Sequence, residues 1–276
     1  VHVHVHVHVH VHVPLLTDVC PLVSYLPPQT MVLFALLPLL SRVAAAGPRV
    51  AILSNHDPTA WTGACKASSA ATVACNLRLY TAAIEVAAEL QADLVHFPEA
   101  YALQLITADR FEPFVAHQGA EPNCTLAEPA TSTQQRTIAC AARKHNVSVA
   151  ANIFVTLANG TRRIMEIVFD RHGVALATYS KSHLVPIFET RYASAGPFAP
   201  TSFVLDGVRW GIAICYEAVY PILTGDWAQF DALNATGAQA VLWAVGGHVP
   251  EGPDTRCALS ALSALSSARP CTLSPT

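Results

Sequence analysis

Ser202-Phe-Val-Leu-Asp-Gly-Val-Arg-Trp-Gly-Ile-Ala-Ile-Cys-Tyr-Glu217 is the stretch on which the fold turns. Asp206-Gly207 between two apolar runs is a strong hairpin signal, because both residue types tolerate positive φ. It predicts strands over Ser202–Leu205 and Val208–Cys215, the second apolar enough from Trp210 onward to be buried. Just upstream, Ile164–Phe169 and Val174–Tyr179 flank Asp170-Arg-His-Gly173 and predict a second hairpin. Further back, Arg49–Asn55 reads as a strand ended by Asp57-Pro58. Residues 66–91 are rich in alanine, with Leu79, Ala83, Ile84, Ala87 and Leu90 at helical spacing. A short buried strand over Asp93–Glu99 is stopped by Pro98, and a helix over Gln134–Lys144 precedes a strand over Val147–Ile153. Downstream, Gly225–Asn234 reads as helical and Ala240–Val245 as another strand. Helices and strands alternate early and hairpins come late, which predicts a mixed α/β fold with several buried strands.

Composition narrows the function classes. The chain has 276 residues, 52% hydrophobic and only 13% charged, against about 25% charged in ordinary domains. That excludes a wholly disordered chain. A net charge of −3 creates no field that would draw nucleic acid or an anionic membrane surface. Mean hydropathy is +0.37, yet no run reaches the roughly 18 uninterrupted apolar residues of a spanning helix. Neither nucleic acid nor a membrane is therefore expected as a partner.

The two ends read differently from the middle. Val1–Val13 alternates valine and histidine and holds six of the thirteen histidines; residues 1–30 read as a low-complexity leader. Alternate histidines on one face of a strand could bind a divalent metal. Met31-Val-Leu-Phe-Ala-Leu-Leu-Pro-Leu-Leu40 is a short apolar run followed by Val43-Ala-Ala-Ala46, which predicts a signal peptide over residues 31–46. Residues 251–276 form an irregular tail biased to alanine, leucine and serine. Four of the seven asparagines lie in Asn-x-Ser/Thr acceptors, at Asn123, Asn146, Asn159 and Asn234, where chance predicts about one. With the signal peptide they predict a secreted glycoprotein.

Chemistry could sit at Cys215, Lys181 and Glu99. A cysteine ending an apolar strand is ordinarily a small buried hydrophobe; at a strand end it can also be a nucleophile, with the next backbone N–H as an oxyanion donor. Lys181 follows a strand and Glu99 follows Pro98, and singly each has an ordinary reading as a solvated or turn residue. His96 and His183 flank them, and a histidine beside a strand is more often hydrogen-bonded than a ligand. Zinc binding by the cysteines is not expected, since no CxxC spacing occurs.

Taken in order, Phe97-Pro-Glu-Ala100, Tyr179-Ser-Lys-Ser-His-Leu184 and Gly211-Ile-Ala-Ile-Cys-Tyr-Glu217 resemble the motifs of the nitrilase superfamily of carbon–nitrogen hydrolases, over residues 48–250. The resemblance implies a four-layer α-β-β-α sandwich and a Glu99–Lys181–Cys215 triad acting on a small-molecule amide, without metal or organic cofactor. Tyr216 would lend its backbone N–H to the oxyanion. Glu189 stands where the family has a second glutamate, although beside Arg191 it also reads as an exposed loop acid. Within the superfamily the chain looks most like the secreted biotinidase and vanin (pantetheinase) branch. That likeness implies a Cys124–Cys140 disulfide and pantetheine-like or biotinyl-amide substrates, while the nitrilase fold in general commonly dimerises. Cys65–Cys75 and Cys257–Cys271 are further pairings among fifteen that six cysteines allow. After Val241–Gly247 the family continues with another helix and further strands, whereas this chain enters its tail. The sandwich is therefore expected to be incomplete at the C-terminus. A catalytically inactive glycoprotein of the same descent is the alternative to an active amidase.

Overall fold

The computed structural model describes residues 7–11, 48–53, 69–99, 111–115, 122, 124 and 133–245. The signal peptide, the tail, Asn123, Cys65, Cys257 and Cys271 lie outside them. Among the described residues one sheet has seven strands: β1 (Val7–Val11), β2 (Arg49–Leu53), β3 (Leu94–His96), β4 (Glu112–Pro113), β5 (Ser148–Thr156), β6 (Arg162–Phe169) and β7 (Ala175–Ser180). Its order is β1-β2-β3-β5-β6-β7, with β4 pairing β5. β2, β3 and β5 run parallel, and β6 and β7 extend the sheet as an antiparallel meander. Residues 7–11 of the Val-His repeat thus join the fold through their backbone, β1 pairing antiparallel with β2. The second sheet contains β8 (Ser202–Leu205), β9 (Val208–Ile214) and β10 (Ala240–Ala244) in the order β10-β9-β8.

Alternation along the strands assigns each residue to one of two cores. Helices α1 (Ser69–Glu89) and α2 (Thr133–His145) cover the outer face of the large sheet. They bury Tyr80, Ile84, Ile138 and Ala142 against Val95, Val149, Ala151 and Ile153. The opposite face, with Leu94, Ala150, Phe154, Ile164 and Val168, packs on Phe203, Trp210, Ile212 and Ile214 of the small sheet. Helices α3 (Tyr216–Thr224) and α4 (Ala228–Ala235) close the far side, with Ala218, Phe230 and Leu233 packed beneath Ala213. The result is the α-β-β-α order that the motifs implied.

Several expectations shift in detail. The buried face of α1 is carried by Leu77, Tyr80, Ala83, Ile84 and Ala87, while Leu90 is half exposed beyond the helix end. The helix over Gly225–Asn234 is corrected: Gly225, at φ 77°, caps the C-terminus of α3, and α4 begins only at Ala228. Glycine is favoured there because its left-handed conformation carries no Cβ penalty. Both hairpins form. Asp206 and Gly207 have φ of 48° and 80°, the double positive φ of the tight turn whose twist matches its strands. Arg171, in the other hairpin, reaches Asp206 at 2.8 Å and Asp93 at 3.0 Å, tying the tips of the two sheets together.

Gly173, in the β6–β7 turn, has φ 75°, and a Cβ there would collide with the carbonyl oxygen of Ala139; Gly160, at φ 81°, has open space around it. Gly160→Ala is expected to cost about 1–2 kcal/mol, the left-handed penalty alone. Gly173→Ala should cost clearly more, because α2 must also shift. Chemical denaturation of the two variants side by side measures the difference.

Candidate active site

Glu99, Lys181 and Cys215 each stand one to three residues beyond the end of a strand, after β3, β7 and β9 respectively. The two sheets bring these ends together. Lys181 Nζ lies 2.7 Å from Glu99 Oε1 and 2.7 Å from Glu189 Oε1, and all three side chains are completely buried. Glu189 is therefore not the exposed loop acid its neighbour Arg191 suggested. It opens a 3₁₀ turn, Glu189–Arg191, and its second oxygen accepts a 2.7 Å hydrogen bond from Val185 N. The Cys215 thiol belongs to the same cluster electrostatically, its charge being among those that raise the Lys181 ammonium.

Burial pushes Glu99 up to about 7, the neighbouring Lys181 ammonium opposing the rise and Glu189 adding to it. Burial pulls Lys181 down, but the charges of Glu99, Cys215 and Glu189 outweigh it and carry the ammonium up to about 12. A permanent cation beside a thiol and a carboxyl near neutrality can move one proton between sulfur and oxygen without either charge going unpaired.

Cys215 sits at φ 43°, ψ −104°, in the bend between β9 and α3. A non-glycine residue stays in such a conformation only when its surroundings over-determine it. Here the Cys215 N–H donates to Ala244 O at 2.7 Å, and Trp243 Nε1 donates to Cys215 O at 3.0 Å. Tyr216 opens α3, so its N–H belongs to the unsatisfied first turn of a helix.

Glu217 is the residue that the sequence did not single out. It is buried, and its Oε1 accepts from Ser182 N at 2.6 Å, Tyr179 Oη at 2.6 Å, Ser182 Oγ at 2.8 Å and His183 N at 3.2 Å. Its Oε2 accepts from Ile214 N at 2.8 Å. One carboxylate thus ties the chain after Lys181 to the strand before Cys215. Gln229 completes the network by donating to Tyr179 Oη at 2.8 Å. No spacing rule pointed to Glu217, because four of its five donors come from Tyr179, Ser182 and His183, more than thirty residues upstream. His183 fits its structural reading, stacked on Tyr220 with ring centroids 4.1 Å apart. A cavity of about 220 Å³, lined by His183, Phe198, Glu217, Tyr220, Asp226 and Gln229, opens against this network.

Cys124 and Cys140 are bonded, with Cα atoms 5.7 Å apart. Cys75 is also disulfide-bonded, to a partner outside the described residues. Among the described residues no group of three or more histidine, cysteine or acidic side chains could hold a metal, and no helix is long and apolar enough to cross a membrane.

Lys181→Met strips the neutralising charge from buried carboxyls and is expected to cost about 3–5 kcal/mol at mildly alkaline pH. Glu99, already near 7 with the ammonium in place, rises further without it. A carboxyl raised in the folded state adds stability below its unfolded value of about 4.3 and loses it as pH climbs through the folded value. The deficit of the variant should therefore shrink as pH falls from 8 toward about 5, which urea melts at a series of pH values will read.

The carbon-nitrogen hydrolase family model matches residues 60–231. A search of curated proteins finds no relative. Among solved structures, the chain is similar to an amidase from Nesterenkonia sp., with 21% identity and a TM-score of 0.50 over 66% of this chain and 62% of that one. A cysteine-to-serine variant of the Nesterenkonia AN1 amidase, from the nitrilase superfamily, is 22% identical with a TM-score of 0.49 over 63% and 60%. The chain spans 62% of the length of the first amidase, and at this identity the likeness is one of fold. It is the nitrilase fold, and with the family model covering well over half of its length the chain belongs to the carbon-nitrogen hydrolase family.

Proposed function

We propose that the chain is a thiol-dependent amidohydrolase that cleaves a linear carboxamide through a thioester on Cys215. The observation that carries this reading is the buried Lys181 ammonium, 2.7 Å from each of two carboxylates and raised further by the charge of Cys215 at the neighbouring strand end. Glu99 takes the thiol proton as sulfur attacks the amide carbon, and the carbonyl electron pair becomes an oxyanion. Lys181 Nζ and the Tyr216 N–H are the groups that would stabilise it. The C–N bond then breaks, and the amine leaves with the proton that Glu99 returns. Water attacks the thioester while Glu99 accepts its proton; the C–S bond breaks, acid is released, and the proton goes back to sulfur. Glu189 holds the far side of the ammonium, so that Lys181 does not follow the moving charge.

Secretion and the biotinidase and vanin branch belong to the same proposal. The Cys124–Cys140 bond suits an oxidising compartment. Asn146, Asn159 and Asn234 are all exposed, as glycan acceptors must be. Pantetheine-like and biotinyl-amide compounds are the first substrates to offer. The alternative is a glycoprotein of this family that keeps the site without turning over.

Amine release from pantetheine and from biotinyl-lysine by the purified full chain separates the two. Turnover that falls to background in Cys215→Ala supports the amidase. A folded, monodisperse chain that releases amine from neither compound counts against both substrates. Because Glu99 must be unprotonated to receive the thiol proton, kcat/KM should rise with pH through about 7. A profile already flat below that value would remove Glu99 from the role.

A further inference from the structure

β3 carries His96 three residues before Glu99, and β6 carries Glu166, opposite Asn152 of β5 and Tyr179 of β7. Both side chains are buried, with His96 Nε2 3.6 Å from Glu166 Oε1, and neither of those atoms has a hydrogen-bond partner. Glu166 Oε2 accepts from Asn152 Nδ2 at 3.1 Å. The proposed reaction uses neither residue. A buried carboxylate with one unpaired oxygen is expensive unless it carries a proton or faces a cation.

Among the described residues, the groups facing Glu166 supply no fixed cation. Asn152 is neutral, and the Tyr179 hydroxyl proton is committed to Glu217. Tyr80 of α1 is held well above its usual range by burial and then by Glu166. Lys181 is shared between Glu99 and Glu189. Only His96 remains, and burial pulls it down to about 4. Burial pushes Glu166 up to about 8, with the Glu99 charge adding to the rise. Both partners are therefore uncharged at neutral pH, and a shift of well under 1 Å would close a carboxyl O–H to imidazole N hydrogen bond.

We propose that Glu166 and His96 form a charge-neutral acid–imidazole pair, the proton on the carboxyl pointing at His96 Nε2, that positions Glu99 as the proton acceptor of Cys215. While the pair is neutral, Glu99 and Cys215 exchange a proton with no further anion beside them. When Glu166 ionises, a second carboxylate charge appears next to Glu99 and holds Cys215 toward the thiol. The pair rests on the proposed role of Glu99, but its signature does not need amide turnover.

Infrared spectra of the full chain, isotope-labelled at glutamate carboxyls, should show a protonated carboxyl at neutral pH that titrates near 8 and is lost in Glu166→Gln. Iodoacetamide labelling of Cys215, followed by mass spectrometry of its peptide, should give a rate profile with a break at the same pH. That break should vanish in Glu166→Gln. His96→Gln is the second variant, should the first not fold: it should displace the carboxyl band without abolishing it. No protonated carboxyl at neutral pH beyond that of Glu99, or a Glu166→Gln profile that superimposes on the unaltered one, overturns the proposal. Neither readout requires amidase activity, so a chain that hydrolyses no amide still decides it.

Discussion

The structure depends on one buried cation. Taking the Lys181 ammonium out of water would cost many kcal/mol if it stood alone, so its burial requires both carboxylates at once. Glu99 arrives from the end of β3 and Glu189 from a turn that folds back after β7. Two strands, β5 and β6, lie between β3 and β7 in the sheet. The register of four strands must therefore be right before the ion cluster can form. In this sense the cluster is a check on the sheet as much as a feature of the site.

The second constraint couples the two sheets. Glu217 spends its five hydrogen bonds on groups from β7, from the residues after Lys181, and from the last residue of β9. Charge-assisted bonds to backbone N–H groups are among the stronger ones. They hold the Lys181 segment against the Cys215 bend, whose own backbone is pinned by Ala244 and Trp243 of β10. The position of the thiol relative to the ammonium is thus set by groups that never touch it.

Much of the frame was legible before any coordinates. Asp206-Gly207 and Asp170–Gly173 marked both hairpins, because turn chemistry is local and leaves few alternatives. The strands read over Asp93–Glu99 and Val147–Ile153 form as β3, shortened to Leu94–His96, and β5, extended to Ser148–Thr156. Helix α3 was not legible: it contains Pro221, and Gly225, which caps it, was read as the start of the next helix. The face of α1 was read slightly rotated, since many of its residues are alanines that score alike on either side.

Sequence by itself determined the element types, the order of the motifs, and the residue types available for thiol chemistry, all of which follow from local propensity and spacing. Tertiary structure alone decided which charges meet. Glu189 could have been a surface acid, and becomes a buried partner of Lys181 only because the 3₁₀ turn returns to the strand end. Glu217 and Glu166 look alike in the sequence, one acid each in an apolar run. One is saturated with donors and the other takes a single bond from Asn152 and faces an imidazole, because hydrogen-bond partners are assigned by strand neighbours and sheet packing, which no local pattern records.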